Sequence, residues 1–134
     1  MKIQKISAEQ TWELRQKVMW ADKPIEFVQI PNDKDGFHYG LFIDDELISV
    51  ISLFKNEEEG QFRKFCTSQT SQQKGYGSIL LAALINEAKL LNIKYLWCDA
   101  RVEAISFYEK FGLKTEGEPF TKNEKSYSKM SMSL

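Results

Sequence analysis

Residues 71–81 read SQQKGYGSILL. A polar segment gives way there to an apolar helical pattern, with Gly75 and Gly77 at the junction. Glycine costs a helix roughly 1 kcal/mol relative to alanine. Two glycines in a first turn therefore point to something that must come close to the backbone. A helix start carries unpaired N–H groups and the positive end of the helix dipole. A phosphate satisfies both. Gly75 and Gly77 leave the amides open to phosphate oxygens, and Gln72, Gln73 and Lys74 add polar and cationic reach. A Walker A loop is absent. The third glycine of a dinucleotide fingerprint is also missing, because Ser78, Ile79 and Leu80 follow Gly77.

Outward from this turn the chain reads as an alternation of strands and helices. Downstream, GSILLAALINEAKLLNI has helical spacing through Ile79, Leu80, Ala83, Leu84, Ala88 and Leu91. KYLWCDA reads as a buried strand, VEAISFYEKFG as a short helix stopped by Gly112, and LKTEGEPF and KSYSKMSMSL as two closing strands. Upstream, QFRKFCT is β-rich. FHYGLFI and ELISVISLF form a hairpin joined at Asp44 and Asp45. NEEEG is a solvated acidic turn. MKIQKI is a first strand, and SAEQTWELRQKVMW a helix capped by Ser7 that carries Trp12, Val18 and Met19. Between that helix and the hairpin, ADKPIEFVQIPNDKDG is a long irregular segment. The predicted order is β-α-β-β-β-α-β-α-β-β. It makes an α/β protein with a mixed sheet of about seven strands flanked by helices, in a single domain over residues 1–134. The unit from Phe62 to Asp99 is expected to be a right-handed parallel crossover.

The bulk composition narrows the function classes. The chain has 134 residues, 43% of them hydrophobic, and a net charge of −1. That length supports a core without disulfides or metals. No basic field invites nucleic acid, and no apolar run spans a membrane. Cys66 and Cys98 are the only cysteines and there is one histidine, so a zinc site is not expected. A cytoplasmic protein with reduced thiols is the expectation.

The pattern Gln72-x-x-Gly75-x-Gly77 resembles the acyl-CoA signature of the GNAT superfamily of N-acetyltransferases, Q/R-x-x-G-x-G/A. A second match lies in AISFYEKFGL at residues 104–113. The run WCDARVEAISFYEKFGL is most similar to a group of small bacterial acetyltransferases. The resemblance covers nearly the whole chain and implies the acyl-CoA N-acyltransferase fold, with two central parallel strands splayed apart. It also implies acetyl-CoA as cosubstrate and acetyl transfer to a primary amine by direct attack in a ternary complex. The partners implied are a small-molecule amine or a peptide lysine, not nucleic acid or membrane, with the protein a monomer or homodimer. SYSKMSMSL is a candidate for pairing between subunits.

Residue by residue, the resemblance places pantetheine along Phe62 to Thr67, including Phe65, Cys66 and Thr67. A carbonyl-polarising amide falls near Phe65 or Cys66. Pyrophosphate falls on the amides from Gln73 through Lys74, Gly75, Tyr76 and Gly77 to Ser78. Tyr108 matches the tyrosine that protonates the departing thiolate, a role that suits a phenol. Arg101 replaces a more usual asparagine and is read as capping a carbonyl, orienting cofactor or pairing with Asp99. No single general base stands out: His38, Asp99 and Glu26 are the candidates. Cys66 and Cys98 read as small apolar residues rather than nucleophiles. Trp20 is a candidate wall for an aromatic acceptor. Asp22, Glu26, Asp33 and Asp35 give the long segment an acidic character that would attract a cationic acceptor. Two alternatives remain beside the enzyme: a CoA-binding sensor or interaction module without turnover, and a domain whose glycines serve only tight helix–strand packing.

Overall fold

The computed structural model describes residues 1–134. Strand β1 (Lys2–Ile6) leads into helix α1 (Ala8–Leu14). Ser7 closes a capping box with Gln10, each side chain taking the other's backbone N–H. The helix runs on as a π-helical turn, Arg15–Met19, and leaves helical geometry at Trp20. Two short 3₁₀ turns, Ile25–Val28 and Asp33–Asp35, organise the long segment before β2 (Phe37–Ile43). Strands β3 (Glu46–Asn56) and β4 (Glu59–Thr67) follow. Asp44 and Asp45 both take positive φ, 48° and 67°, which suits a tight hairpin turn. Helix α2 (Tyr76–Leu90), strand β5 (Tyr95–Arg101), helix α3 (Ile105–Glu109), and strands β6 (Lys114–Lys122) and β7 (Lys125–Ser133) complete the chain.

The seven strands form one sheet in the order β1-β2-β3-β4-β5-β7-β6. Every neighbouring pair is antiparallel except β4 with β5. The core gathers Leu41, Ile51, Leu53 and Phe62 of the sheet under Leu80, Leu81, Leu84 and Ala88 of α2. Ile79 departs from the expected apolar stripe. It is 38% exposed, and Leu81 takes the buried place instead. β7 lies between β5 and β6, so both of its edges are already paired and it offers none to a second copy.

The β4–β5 pairing decides where the site lies. It is parallel as expected, but it covers only Glu59↔Tyr95, Gly60↔Leu96 and Gln61↔Trp97. Beyond those residues the two strands no longer pair. β4 stays attached to β3 as far as Ser49↔Thr67, and β5 stays attached to β7 as far as Arg101↔Tyr127. The sheet thus opens as a wedge from Phe62 and Cys98 onward. At the wedge β4 carries a bulge: Ser52 pairs with Arg63 and Val50 with Cys66, so Lys64 and Phe65 face the single residue Ile51. Lys64 takes φ +55° to make that bend. Such a bulge twists its strand and leaves backbone groups outside the ladder.

Candidate active site

A cavity of about 780 Å³ fills the wedge. Its lining includes Phe62 to Thr67 from β4, Cys98, Asp99 and Arg101 from β5, and residues of the turn between 71 and 78. Phe107 and Tyr108 of α3 also line it, as do Val18, Met19 and Trp20 and, from β7, Lys125 and Tyr127.

The turn into α2 is built from backbone. Gly75 is the N-cap at φ +85°, and no side chain caps the helix. The first intrahelical bond is Ile79 N–H to Gly75 O, at 3.2 Å. The amides of Tyr76, Gly77 and Ser78 thus precede the helical ladder. Gln73 is also left-handed, at φ +63°. Alternating left-handed and ordinary backbone turns successive N–H groups toward one concave point, a geometry that suits anions. Gln72 Nε2 donates to Thr67 O at 2.9 Å and ties the turn to the end of β4. The Ser49 hydroxyl reaches Cys66 O and Thr67 Oγ1 from behind the strand, at 3.1 and 2.9 Å.

The two glycines answer differently to an added Cβ. At Gly75 it would meet nothing within 4 Å, so only the positive φ calls for glycine. At Gly77 the φ is not positive, and a Cβ would lie 3.4 Å from Phe65 Cζ and 3.7 Å from Thr67 Oγ1. That is ordinary contact. Neither tight helix–strand packing nor backbone strain accounts for Gly77, yet it lines the cavity.

Tyr108 stands among aromatic rings, its centroid 5.7 Å from Phe62, 6.4 Å from Phe65 and 5.2 Å from Phe107. Burial, with a smaller contribution from Cys98, pushes its phenol well above the ordinary tyrosine value. It therefore keeps its proton at any physiological pH. Burial also raises the thiols of Cys66 and Cys98 to about 12, which keeps both in the unreactive protonated form. Both cysteines are free.

Of the three candidate bases, only Asp99 lines this cavity. It is solvent-exposed at the open end of β5. The expectation for His38 is corrected by its surroundings. His38 is 4% exposed and is absent from the lining. Its Nε2 lies 2.7 Å from Asp33 O and its Nδ1 2.7 Å from Ser52 Oγ. A carbonyl only accepts, so Nε2 carries the proton and Nδ1 accepts from the serine. Ser52 Oγ in turn accepts from Arg15 Nη2 at 2.9 Å. Both ring nitrogens are thus engaged within the protein, and neither is left for a substrate. Glu26 faces a second, smaller pocket instead. Lys74 is exposed and stands outside the lining.

The acidic reading of the long segment changes too. Asp33 is buried and accepts from both Arg15 Nη atoms at 2.8 and 3.0 Å, from Trp12 Nε1 at 3.0 Å and from the Ile30 amide at 3.0 Å. Burial opposes its charge, but these donors, Arg15 foremost, hold its carboxyl below the usual carboxylate range. It anchors the segment to the sheet, with both carboxylate oxygens engaged by donors of the protein itself. Arg101 pairs with Glu103 at 3.1 Å rather than with Asp99. Both partners are largely exposed, so the pair contributes little stability.

Sequence reasoning missed Arg63, Lys64, Lys125 and Tyr127. The signal for the first two was present as adjacent cations in a β-rich run, Lys64 falling in the bulge and Arg63 directly before it. Lys125 and Tyr127 carry no local signal. They reach the cavity only because β7 lies beside β5.

Comparison with known proteins agrees with this architecture. Residues 4–134 match the family model described as an acetyltransferase (GNAT) domain. The chain is 28% identical over 129 residues to the "Uncharacterized N-acetyltransferase YitI" of Bacillus subtilis (strain 168), covering 90% of this chain and 87% of that protein. The fold is shared with an IAA acetyltransferase from Bacillus cereus ATCC 14579, with a TM-score of 0.81, 17% identity and 99% of each chain covered. It is also shared with a GNAT family acetyltransferase from Elizabethkingia anophelis solved with acetyl-CoA bound, with a TM-score of 0.79, 18% identity, and 99% and 97% covered. A splayed sheet, an amide-lined helix start and a family match over almost the whole length lead to one conclusion: this chain belongs to the GNAT family of N-acetyltransferases.

Proposed function

We propose that the protein transfers the acetyl group of acetyl-CoA to a primary amine by direct attack in a ternary complex. The observation that carries this reading is Gly77. It has neither a packing nor a conformational reason to be glycine, and it lies at the amide-lined mouth of a cavity between two strands. A ligand that needs the backbone there is the remaining reason. Pyrophosphate on the amides from Gln73 to Ser78 would use the helix start, assisted by Gln72 and Lys74. Pantetheine would run along the unpaired edge of β4 at Phe65, Cys66 and Thr67. The acetyl group would then reach the bulge, where a backbone amide near Phe65 or Cys66 polarises the thioester carbonyl. Arg101 orients the cofactor from the opposite strand.

In the chemical step the amine nitrogen bonds to the carbonyl carbon and the carbon–sulfur bond breaks. Asp99 takes the proton from the incoming ammonium, directly or through water. Tyr108 gives its proton to the departing thiolate and recovers one, directly or through water, from the nitrogen as the amide forms, so that one proton ends on the thiol and one on Asp99. The phenol's high affinity for its proton keeps it a donor, and general acid help of this kind is worth roughly 10²- to 10⁴-fold. Cys66 and Cys98 take no part, in keeping with thiols held near 12. The acceptor is a small-molecule amine or a peptide lysine, and the protein acts as a monomer or homodimer.

Calorimetric titration with acetyl-CoA and with dephospho-CoA, followed by thiol release across a panel of amines, tests this reading. Micromolar acetyl-CoA binding with amine-dependent thiol release is the expected result. Binding without release from any amine would instead favour a CoA-binding sensor. Absence of binding would overturn the proposal.

A further inference from the structure

Charge is distributed unevenly around the cavity. Four cationic side chains line it, Arg63, Lys64, Arg101 and Lys125, against two carboxylates, Asp99 and Glu103. Arg101 and Glu103 pair with one another at 3.1 Å and cancel in this balance. None of Arg63, Lys64 and Lys125 forms an ion pair within the protein. Lys64 is held partly buried at the bulge of β4. Burial, together with the charges of Arg63, Arg15 and Lys122, pulls its ammonium down to about 8. Asp33 acts on it in the other direction but is itself engaged by Arg15. Lys125 enters from the far side of the wedge, its Nζ 4.9 Å from the centre of the Trp20 ring. The indole attracts that ammonium, and Val18 and Met19 line the same cavity.

The pyrophosphate of CoA does not account for Lys64. The amides for pyrophosphate begin at Gln73, beyond the end of β4. Lys64 lies three residues back from Thr67 along the strand, roughly 10 Å at the usual rise per residue. That places Lys64 at the bulge itself, at the acetyl end of the proposed thioester path rather than its phosphate end. Asp99 is the one cavity carboxylate that acts on Arg63, and it leaves the three cations in excess. A partly buried cation in such an excess is costly, and an anion brought by the substrate would relieve it. A polycation would make matters worse.

Building on the proposed acetyl transfer, we infer that the acceptor is a small amine that also carries an anionic oxyacid group, a carboxylate or a phosphate. Lys64 and Lys125 hold that group, Trp20 covers the apolar part, and the amine points to Asp99. The acidic residues of the long segment, which on sequence alone would favour a cationic acceptor, take no part. Asp33 is tied to Arg15, and Glu26 faces the other pocket.

The test uses matched acceptors that differ only in charge: amino acids against their carboxamides, and aminoalkyl phosphates against amino alcohols, with a polyamine as the opposite case. Steady-state kinetics are expected to give a kcat/KM for the better charged series at least about tenfold above its neutral partner, mostly through KM. The two series tell carboxylate from phosphate. Lys64→Asn, which suits the left-handed bulge, and Lys125→Met should each collapse the ratio of charged to neutral acceptor. Equal use of neutral partners, preference for the polyamine, or an unchanged ratio in both variants would overturn the inference while leaving acetyl transfer intact. Failure of acetyl-CoA to bind would overturn the donor reading instead. Calorimetric titration of the protein alone with the same pairs would then decide the charge preference, and indifference there would overturn it.

Discussion

Replacing Gly77 by alanine separates the two reasons a glycine can occupy a helix start. The new Cβ would sit 3.4 Å from Phe65 Cζ and 3.7 Å from Thr67 Oγ1, ordinary contacts that need no movement. Position 77 lies within α2, where alanine is a better helix former by up to about 1 kcal/mol. The variant is therefore expected to melt no lower than the wild type, and up to a few degrees higher. Cofactor affinity should move the opposite way. A methyl over the amides keeps a phosphate oxygen from at least one charge-assisted hydrogen bond, worth roughly 1.5–3 kcal/mol. That corresponds to a loss of about tenfold to 150-fold in affinity for acetyl-CoA. Calorimetry and thermal denaturation of one protein preparation read both quantities. A variant that folds as well as wild type and binds acetyl-CoA within about twofold of it would refute the phosphate-cradle argument. Gly75→Ala supplies the contrast. Its Cβ would meet nothing, but its φ of +85° would cost a side chain roughly 1–2 kcal/mol in fold stability.

Tyr108→Phe keeps the ring packed against Phe62, Phe65 and Phe107 and removes only the hydroxyl. It should lower kcat by roughly 10²-fold or more with little change in acetyl-CoA affinity, and equal activity would remove it from the mechanism. Arg15→Met strands the Asp33 carboxylate in the interior and should cost about 3–5 kcal/mol, read by denaturant unfolding. Because the Asp33 carboxyl is held below its usual range, its stabilising effect is full above the unfolded value near 3.8 and fades as pH falls through the folded value. Unfolding followed from pH 7 into acid should therefore show stability lost below about pH 4, with a shallower acid slope in Asp33→Asn. Cys66→Ala should retain turnover, and iodoacetamide should leave the native enzyme active, since the thiol is held near 12.

Much of the fold was legible because local rules govern it. Ser7 and Gln10 are three residues apart and form their capping box wherever that helix packs. Asp44 and Asp45 accept positive φ on their own account. The apolar spacing of residues 80–88 selects a helix and its buried face, although the choice of Leu81 over Ile79 waited on how α2 lay across the sheet. The amide-lined glycine turn was legible for the same reason, since unpaired helix-start amides are a property of the backbone alone.

The charged residues behaved otherwise. His38 reads in sequence as a free imidazole at the head of a strand, and Asp33 as one more acid in a polar loop. Folding brings Arg15 onto Asp33, 18 residues away, and onto Ser52, 37 residues away, and His38 is consumed in the same network. Lys64 lines the cavity through a bulge defined by the partner strand, and Lys125 through the place of β7 beside β5. Element order, caps and the amide-lined turn depend on neighbours a few residues apart, so the chain carries them openly. Which charges are neutralised and which are left facing a cavity depends on desolvation and pairing between distant segments. Those energies exist only once the sheet has been assembled.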